Sequence, residues 1–419
     1  MVLGATTYGF LVVCARALGP GPYGSLSALW ALVLIVGSGF FLPLQQEVAR
    51  TVAARRVVGE GAGPVLRRAA LLGAAGAALM ALFSLAAYRF LLDQLFDDHW
   101  QLLAALVVSL AGYCALHLVL GVFAGNGRFR PYALVLALEG TLRLSGVVVL
   151  AAAGVDTPGA YGLVIAVAPL ASALAMAWWH RRLVTDGPAA DHRELSIALG
   201  WLLCGSLLTQ VLLNGGVLAV KLLATATERE TAGRFLAGLI VARVPLFLFQ
   251  AIQASLLPRL AELAARGQHR ELLASLRRLL AIVGALALAG TLGAFAIGPV
   301  VLPLLFGPEF DLGRPDLTLL ALGSGASMVA AVLAQGLIAL SAHARAALGW
   351  LVGVAAFVVV TALVQGLLPR VELGFLAGSV AACAAMGAFL SRVIRHPGRP
   401  AGPLENPGAD PLYPVPTQP

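Results

Sequence analysis

Alternating charge at the joints between long apolar stretches is the strongest constraint on what this chain can become. About a dozen stretches fill residues 1–393, most near the roughly 20 apolar residues a helix needs to cross hydrocarbon. Every second joint is rich in arginine: Arg50, Arg55, Arg56, Arg67 and Arg68, then Arg128 and Arg130, then Arg181, Arg182 and Arg193. The series continues with Arg259, Arg266, Arg270, Arg277 and Arg278, then Arg345, then Arg395 and Arg399. The intervening joints carry Asp93, Asp97 and Asp98, then Asp156, Glu228 and Glu230, then Glu309, Asp311 and Asp316. Cytoplasmic loops retain Lys and Arg, so the alternation predicts an even number of crossings with both termini in the cytoplasm.

The expected class is an all-α polytopic integral membrane protein of the cell inner (plasma) membrane. It has about 12 transmembrane helices, over roughly 1–18, 24–46, 69–91, 102–123, 132–153, 160–179, 198–222, 233–257, 279–305, 317–341, 347–368 and 374–393. The first is short and begins abruptly, which points to a start upstream. The layout of the first six recurs in the last six. Gly24 and Gly233 open equivalent spans, each followed by an arginine-bearing piece that ends in Arg67-Arg68 or Arg277-Arg278. An even number of crossings per half gives both halves the same orientation, and so a pseudo-two-fold along the membrane normal. The predicted organisation is a six-helix bundle over 1–180, a cytoplasmic linker over 181–197, a second bundle over 198–393, and a disordered Pro-rich tail over 394–419. In the pieces 47–56 and 258–271, apolar residues recur at helical spacing among charges, as in helices lying on a membrane surface. Arg50 and Arg259 are the candidate contacts for lipid headgroups there, alongside the plainer role of topological anchors.

Composition removes other classes. With 60% hydrophobic and 11% charged residues, the chain lacks the polar surface of a soluble protein. The net charge of +8 sits in short connections where topology already requires it, so no nucleic-acid partner is read from it. Lys221 is the only lysine, and the four cysteines lie singly in apolar stretches. Neither a disulfide framework nor a metal site is indicated, and no cofactor.

Ionisable or amide groups inside apolar spans are costly, so each needs a reason. Glu139 and Arg143 lie four residues apart on one helix face, either as a mutually satisfied pair or as a cavity arginine whose charge Glu139 moderates. Gln210, Asn214 and Lys221 form one stripe of the seventh span. Asn214 lies near mid-membrane, while Lys221 is closer to the outer end and within reach of the interface. Arg243 sits near the centre of the eighth span with no acidic residue in helical reach, so a water-filled cavity or an anionic substrate must satisfy it. Gln250 and Gln253 lie further down. Gln45, Gln46 and Glu47 are read as interface groups, His117, Gln335 and Gln365 as helix-packing hydrogen bonders, and Arg16 as an outer-end surface residue.

Four segments carry a family resemblance. ARALGPGPYGSLSALWAL (15–32), GNGRFRPYA (125–133), ETAGRFLAGLIVARVPLFLFQAIQASLLPRLAELAARG (230–267) and LLFGPEFDLG (304–313) resemble, in order, segments of polysaccharide biosynthesis proteins. These are the oligosaccharide (O-antigen-type repeat unit) flippases of the MATE-like flippase (MOP) superfamily. LNGG (213–216) departs from the Asn-Leu-Asp-like patch of such proteins: Asn214 matches, and the acidic member is missing. The resemblance implies a flippase that moves undecaprenyl-pyrophosphate-linked glycan from the inner to the outer leaflet by alternating access. It implies membrane lipids, a polysaccharide polymerase and glycosyltransferases as further partners. On that reading Arg243, Arg143, Asn214, Glu139, Gln210 and Lys221 are the candidate substrate-cavity residues, and no catalytic residue is required. The alternatives are a MATE-like small-molecule or multidrug exporter, or a membrane glycosyltransferase or polymerase. Carboxylates on short outer loops disfavour the enzyme, and Arg143 beside Glu139 disfavours a carrier of cationic drugs.

Overall fold

A computed structural model describes residues 2–180, 185–188, 198–246, 263 and 268–395. The described part is a helical bundle whose helices we number in chain order. α1 is Val2–Leu18, α2 Pro20–Val33, α3 Gly39–Val57, α4 Gly63–Ala86, α5 Tyr88–Leu91, α6 Trp100–Gly125 and α7 Phe129–Ala152. α8 is Pro158–Trp179, α9 Ala198–Leu223, α10 Thr231–Ala242, α11 His269–Phe306, α12 Arg314–Ala339, α13 His343–Leu363 and α14 Leu367–Arg395. Ten helical runs among the described residues are long and apolar enough to cross a membrane, and Gly4–Leu18 and Thr231–Ala242 are shorter apolar helices. The chain is thus a multi-pass membrane protein.

Several predicted boundaries are corrected. The second span and the piece at 47–56 are one run, Pro20–Val57, continued through a π-turn at Leu34–Ser38. The piece does not lie on a membrane surface: Val48, Thr51, Val52 and Arg55 are buried. The cause is close approach of α3 to α6, where Gly121 and Gly125 leave room for the α3 backbone. A Cβ on Gly121 would lie 2.9 Å from the Gln45 carbonyl oxygen, and one on Gly125 would lie 2.7 Å from that of Ala49. Gly121→Leu should therefore cost about 1–3 kcal/mol through overpacking, read as a lower melting temperature in detergent. Arg50 is not free for lipid alone, because its guanidinium donates to Glu47 at 2.6 and 3.1 Å.

The third span breaks at Ala87 and continues as α5 and a π-turn over Leu92–Phe96. The eighth predicted span, 233–257, is interrupted by a turn at Arg243 between α10 and a helical stretch at 244–246. Pro245 has no N–H for the Val241 carbonyl and its ring crowds that turn. The joint before the last span falls at 364–366, where Gly366 turns with φ +85°, so Arg370 and Glu372 lie inside α14. Residues 269–271 open α11, which runs unbroken for 38 residues. The rest of the piece at 258–271 apart from 263 and 268, including Arg259, lies outside the described residues, as do Gln250, Gln253, most of the 181–197 linker and the tail beyond Arg395.

The packing partners recur along the chain. α6 packs on α3, α4 and α8, and α7 packs on α1 and α8. Likewise α12 packs on α10, α11 and α14, and α13 packs on α9 and α14. Across the middle, α2 meets α9 and α10, α3 meets α9, and α1 meets α10 and α11. Gly24 and Gly233 face each other at this crossing, where a Cβ on Gly233 would lie 3.2 Å from the Gly24 nitrogen. The joints gather at two ends. Arg55 donates to the Pro188 carbonyl and Arg56 to that of Asn126, at the arginine-rich end. At the acidic end Arg16 donates to the Leu304 and Leu305 carbonyls, and Arg370 to that of Leu223.

Candidate substrate cavity

A cavity of about 410 Å³ opens between the two groups of helices. α1 contributes Thr7 and Tyr8, α2 contributes Trp30, α6 contributes Tyr113 and His117, and α7 contributes Glu139 and Arg143. The opposite wall brings Gln210 and Asn214 from α9, and Arg243 from the turn that ends α10. Five of the six candidate cavity residues thus line one space. Lys221 does not: it lies two turns further along α9, at the acidic end, with Nζ 2.5 Å from Asp97 Oδ2.

The two arginines differ in what surrounds them. Helical spacing puts Arg143 Nη1 2.6 Å from Glu139 Oε1, and Nη2 donates to Thr7 Oγ1 at 2.8 Å. The guanidinium lies 5.3 Å from the Phe10 ring centre and 5.1 Å from that of Trp30, and both charged side chains are nearly fully buried. The opposite charges compensate each other and the pair ties α7 to α1 and α2, while Arg143 Nε is buried without a hydrogen-bond partner. Buried charges of this kind hold only with a partner in place.

Arg243 has no carboxylate partner among the described residues. Nη1 donates to Asn214 Oδ1 at 3.2 Å, Nη2 donates to the Leu213 carbonyl, and the guanidinium lies 5.9 Å from the Phe375 ring centre. Its Nε is buried without a hydrogen-bond partner. Asn214 in turn donates to Gln210 Oε1 at 2.8 Å, so the α9 stripe positions the guanidinium through a short chain of amides. The break at Ala242 is what turns this side chain toward the cavity wall.

Thr7, Tyr8, Trp30 and Tyr113 also line the cavity and are not singled out by the sequence. Tyr8 donates to the Ile240 carbonyl at 3.2 Å and bridges the two sides. His117 is hydrogen-bonded through Nδ1 to Gln45 Oε1 at 2.7 Å, and Gln45 donates to the Tyr132 hydroxyl at 3.2 Å. Gln45 is thus buried between helices and is not an interface group. His117 does pack helices, and it also faces the cavity. The adjacent polar residues Thr6, Thr7 and Tyr8 in an otherwise apolar first helix were the available signal. A second cavity, about 240 Å³, lies between α4, α6 and α8, with His180 its one titratable lining residue. Among the described residues, no group of three or more His, Cys, Asp or Glu side chains is placed to hold a metal.

The fold built here has known counterparts. It superposes on an inward-facing multidrug resistance MATE family transporter of the MOP superfamily with a TM-score of 0.70, at 14% identity over 93% of this chain and 94% of that one. An outward-facing form of a multidrug resistance MATE family transporter gives 0.69, at 13% identity over 94% of each chain. The chain therefore has the MATE-type transporter fold. An uncharacterized protein of Mycobacterium tuberculosis (strain H37Rv) is 26% identical over 407 residues, spanning 93% of this chain and 89% of the relative. One of Mycobacterium bovis is 24% identical over 268 residues, covering 61% and 58%. No protein-family model matches.

Proposed function

We propose that this protein is a flippase for undecaprenyl-pyrophosphate-linked glycan, working by alternating access between two six-helix halves, 1–180 and 198–393. The observation that carries the reading is Arg243, a cavity cation without a carboxylate partner among the described residues, set beside the Asn214 and Gln210 amides, a chemistry suited to glycan hydroxyls. The cavity holds two guanidinium groups against one carboxylate, and that carboxylate is taken by Arg143. Such a surplus attracts a diphosphate, which guanidinium donors grip in bidentate fashion. At about 410 Å³ the cavity is at the lower part of the usual range of about 300–1,000 Å³ for ligand pockets. It takes the diphosphate and the adjoining sugar, while the isoprenoid tail stays in the bilayer. Polymerase and glycosyltransferases of the same route are the proposed partners. Arg50 and Arg259 are the proposed contacts for headgroups at the cytoplasmic surface.

The second reading, a small-molecule exporter, is favoured by the multidrug transporters that share the fold. Binding to the purified protein separates the two. Lipid-linked diphosphate oligosaccharide should bind and be displaced by soluble pyrophosphate, and a cationic dye should not compete. Binding of the dye alone would favour the exporter.

The same proposal puts the arginine-rich end in the cytoplasm of a plasma membrane, with both termini there. Cysteines placed at Ala62 and Pro308 test it. Position 62 should label with a membrane-impermeant thiol reagent only from the cytoplasmic side, and position 308 only from outside.

A further inference from the structure

Among the described residues, the ion pairs that join the two groups of helices, Lys221–Asp97 and Arg229–Asp97, lie at the acidic end and meet at one side chain. Asp97 ends the π-turn after α5, and both it and Asp98 have left-handed backbone, with φ of 46° and 62°. Such conformations are costly for residues other than glycine and persist where the surroundings impose them. Here the turn aims the carboxylate at α9, while Ser25 of α2 donates to the same Oδ2 that accepts from Lys221. The Lys221 side chain is 2% exposed, and Asp97 is the carboxylate that pairs with it.

The neighbouring contacts are of a different kind. Arg16 bridges to the end of α11 as well, but it is exposed and water replaces the Leu304 and Leu305 carbonyls at little cost. The edge-to-face contact of Tyr23 with Phe310 and the Gly24–Gly233 crossing are apolar or backbone contacts without a charge to strand. Separating Lys221 from Asp97 leaves a buried ammonium unpaired, which is far costlier.

We propose that the Asp97–Lys221 ion pair is the latch that holds the acidic end of the cavity closed, and that its rupture is the step that admits the cavity to that side. The latch is independent of what the cavity carries. It is charge-specific, because a neutral amide at 97 offers the buried Lys221 ammonium no opposite charge.

External pH bears on it through Asp97. Burial by itself raises the Asp97 pKa. The hydrogen bonds from Lys221 and Ser25, with the charges of Lys221 and Arg229, outweigh that and hold it below the ordinary value of 3.8. The other titratable groups near it are Asp93, Asp98 and His99 on its own segment, while α2 brings no charged residue and α6 only the distant His117. A depressed carboxylate pKa means the pair is intact above the ordinary value and is lost only as pH falls through the lowered one. Closure should therefore hold from about pH 8 down to about pH 4, and release only as the pH falls below the ordinary carboxylate value.

Spin labels at Asp156→Cys and Asp311→Cys, with the four native cysteines replaced, report the opening of the acidic end by pulsed electron paramagnetic resonance. Asp97→Asn and Lys221→Met should each add a longer-distance population. Lys221→Met removes the buried cation and so keeps the test valid if Asp97→Asn folds poorly. The charge-swapped pair Asp97→Lys with Lys221→Asp should restore the original distribution. Unchanged distances in the single variants would overturn the latch, and so would a swap that stays open or release of the wild type between about pH 8 and about pH 4.

Discussion

Arg243→Ala should reduce binding of the lipid-linked diphosphate about ten- to a hundred-fold, with transport falling in step. Hydrogen bonds to a charged group contribute about 1.5–3 kcal/mol, and about 1.4 kcal/mol corresponds to a tenfold change. The Nη1 and Nη2 donors are already engaged by Asn214 and Leu213, whereas Nε has no partner. An arriving phosphate oxygen finds the positive charge and the second N–H that each Nη carries. Arg243→Lys keeps the charge and loses the planar fork, so it should recover binding only in part. Folding should hardly respond, because removal strands no carboxylate and ends the burial of a cation that lacks one. The melting temperature of Arg243→Ala should equal or exceed that of the parent. A large drop in stability with binding intact would make Arg243 a structural residue instead.

Glu139→Gln should do the reverse and destabilise the fold by about 3–5 kcal/mol, the usual cost of stranding one member of a buried pair. Arg143 would keep its bond to Thr7 and its place over Phe10 and Trp30, but it would lose the charge that permits its burial. Its anchoring of α7 to α1 and α2 is what fixes that side of the cavity. Arg143→Met alone should cost a similar amount by stranding Glu139. The double variant Glu139→Gln with Arg143→Met should regain most of the loss, since neither charge is then left alone. Equal stability of all four proteins would mean that water reaches the pair and solvates it. Together, the two sites separate a cation kept for a ligand from a cation kept for the fold.

Much of this contrast was legible in the amino-acid sequence, for a physical reason. Hydrocarbon spans make a polar residue conspicuous, so Glu139, Arg143, Gln210, Asn214 and Arg243 stood out before any were known to share a cavity. Which role each arginine plays was not legible. Glu139 and Arg143 fit either a closed pair or a cavity pair until Thr7, Phe10 and Trp30 are seen around them. Lys221 fitted the α9 stripe by spacing alone. Its partner Asp97 lies in a distant turn, aimed by backbone angles that no local pattern announces. Gln45 was misplaced because α3 extends beyond the apolar span and packs on the glycines of α6. The end of α10 at Ala242 had a visible cause in Pro245, but the long apolar run around it masked the break.

The most direct measurement of the central claim uses purified protein in sealed vesicles that contain a lipid-linked diphosphate oligosaccharide, with a soluble lectin or glycosidase reporting exposure. The account predicts protein-dependent movement of the intact lipid-linked unit between leaflets, lost in Arg243→Ala and retained in a surface variant such as Arg67→Ala. Vesicles that expel a small cationic dye while the oligosaccharide stays in its original leaflet would contradict it.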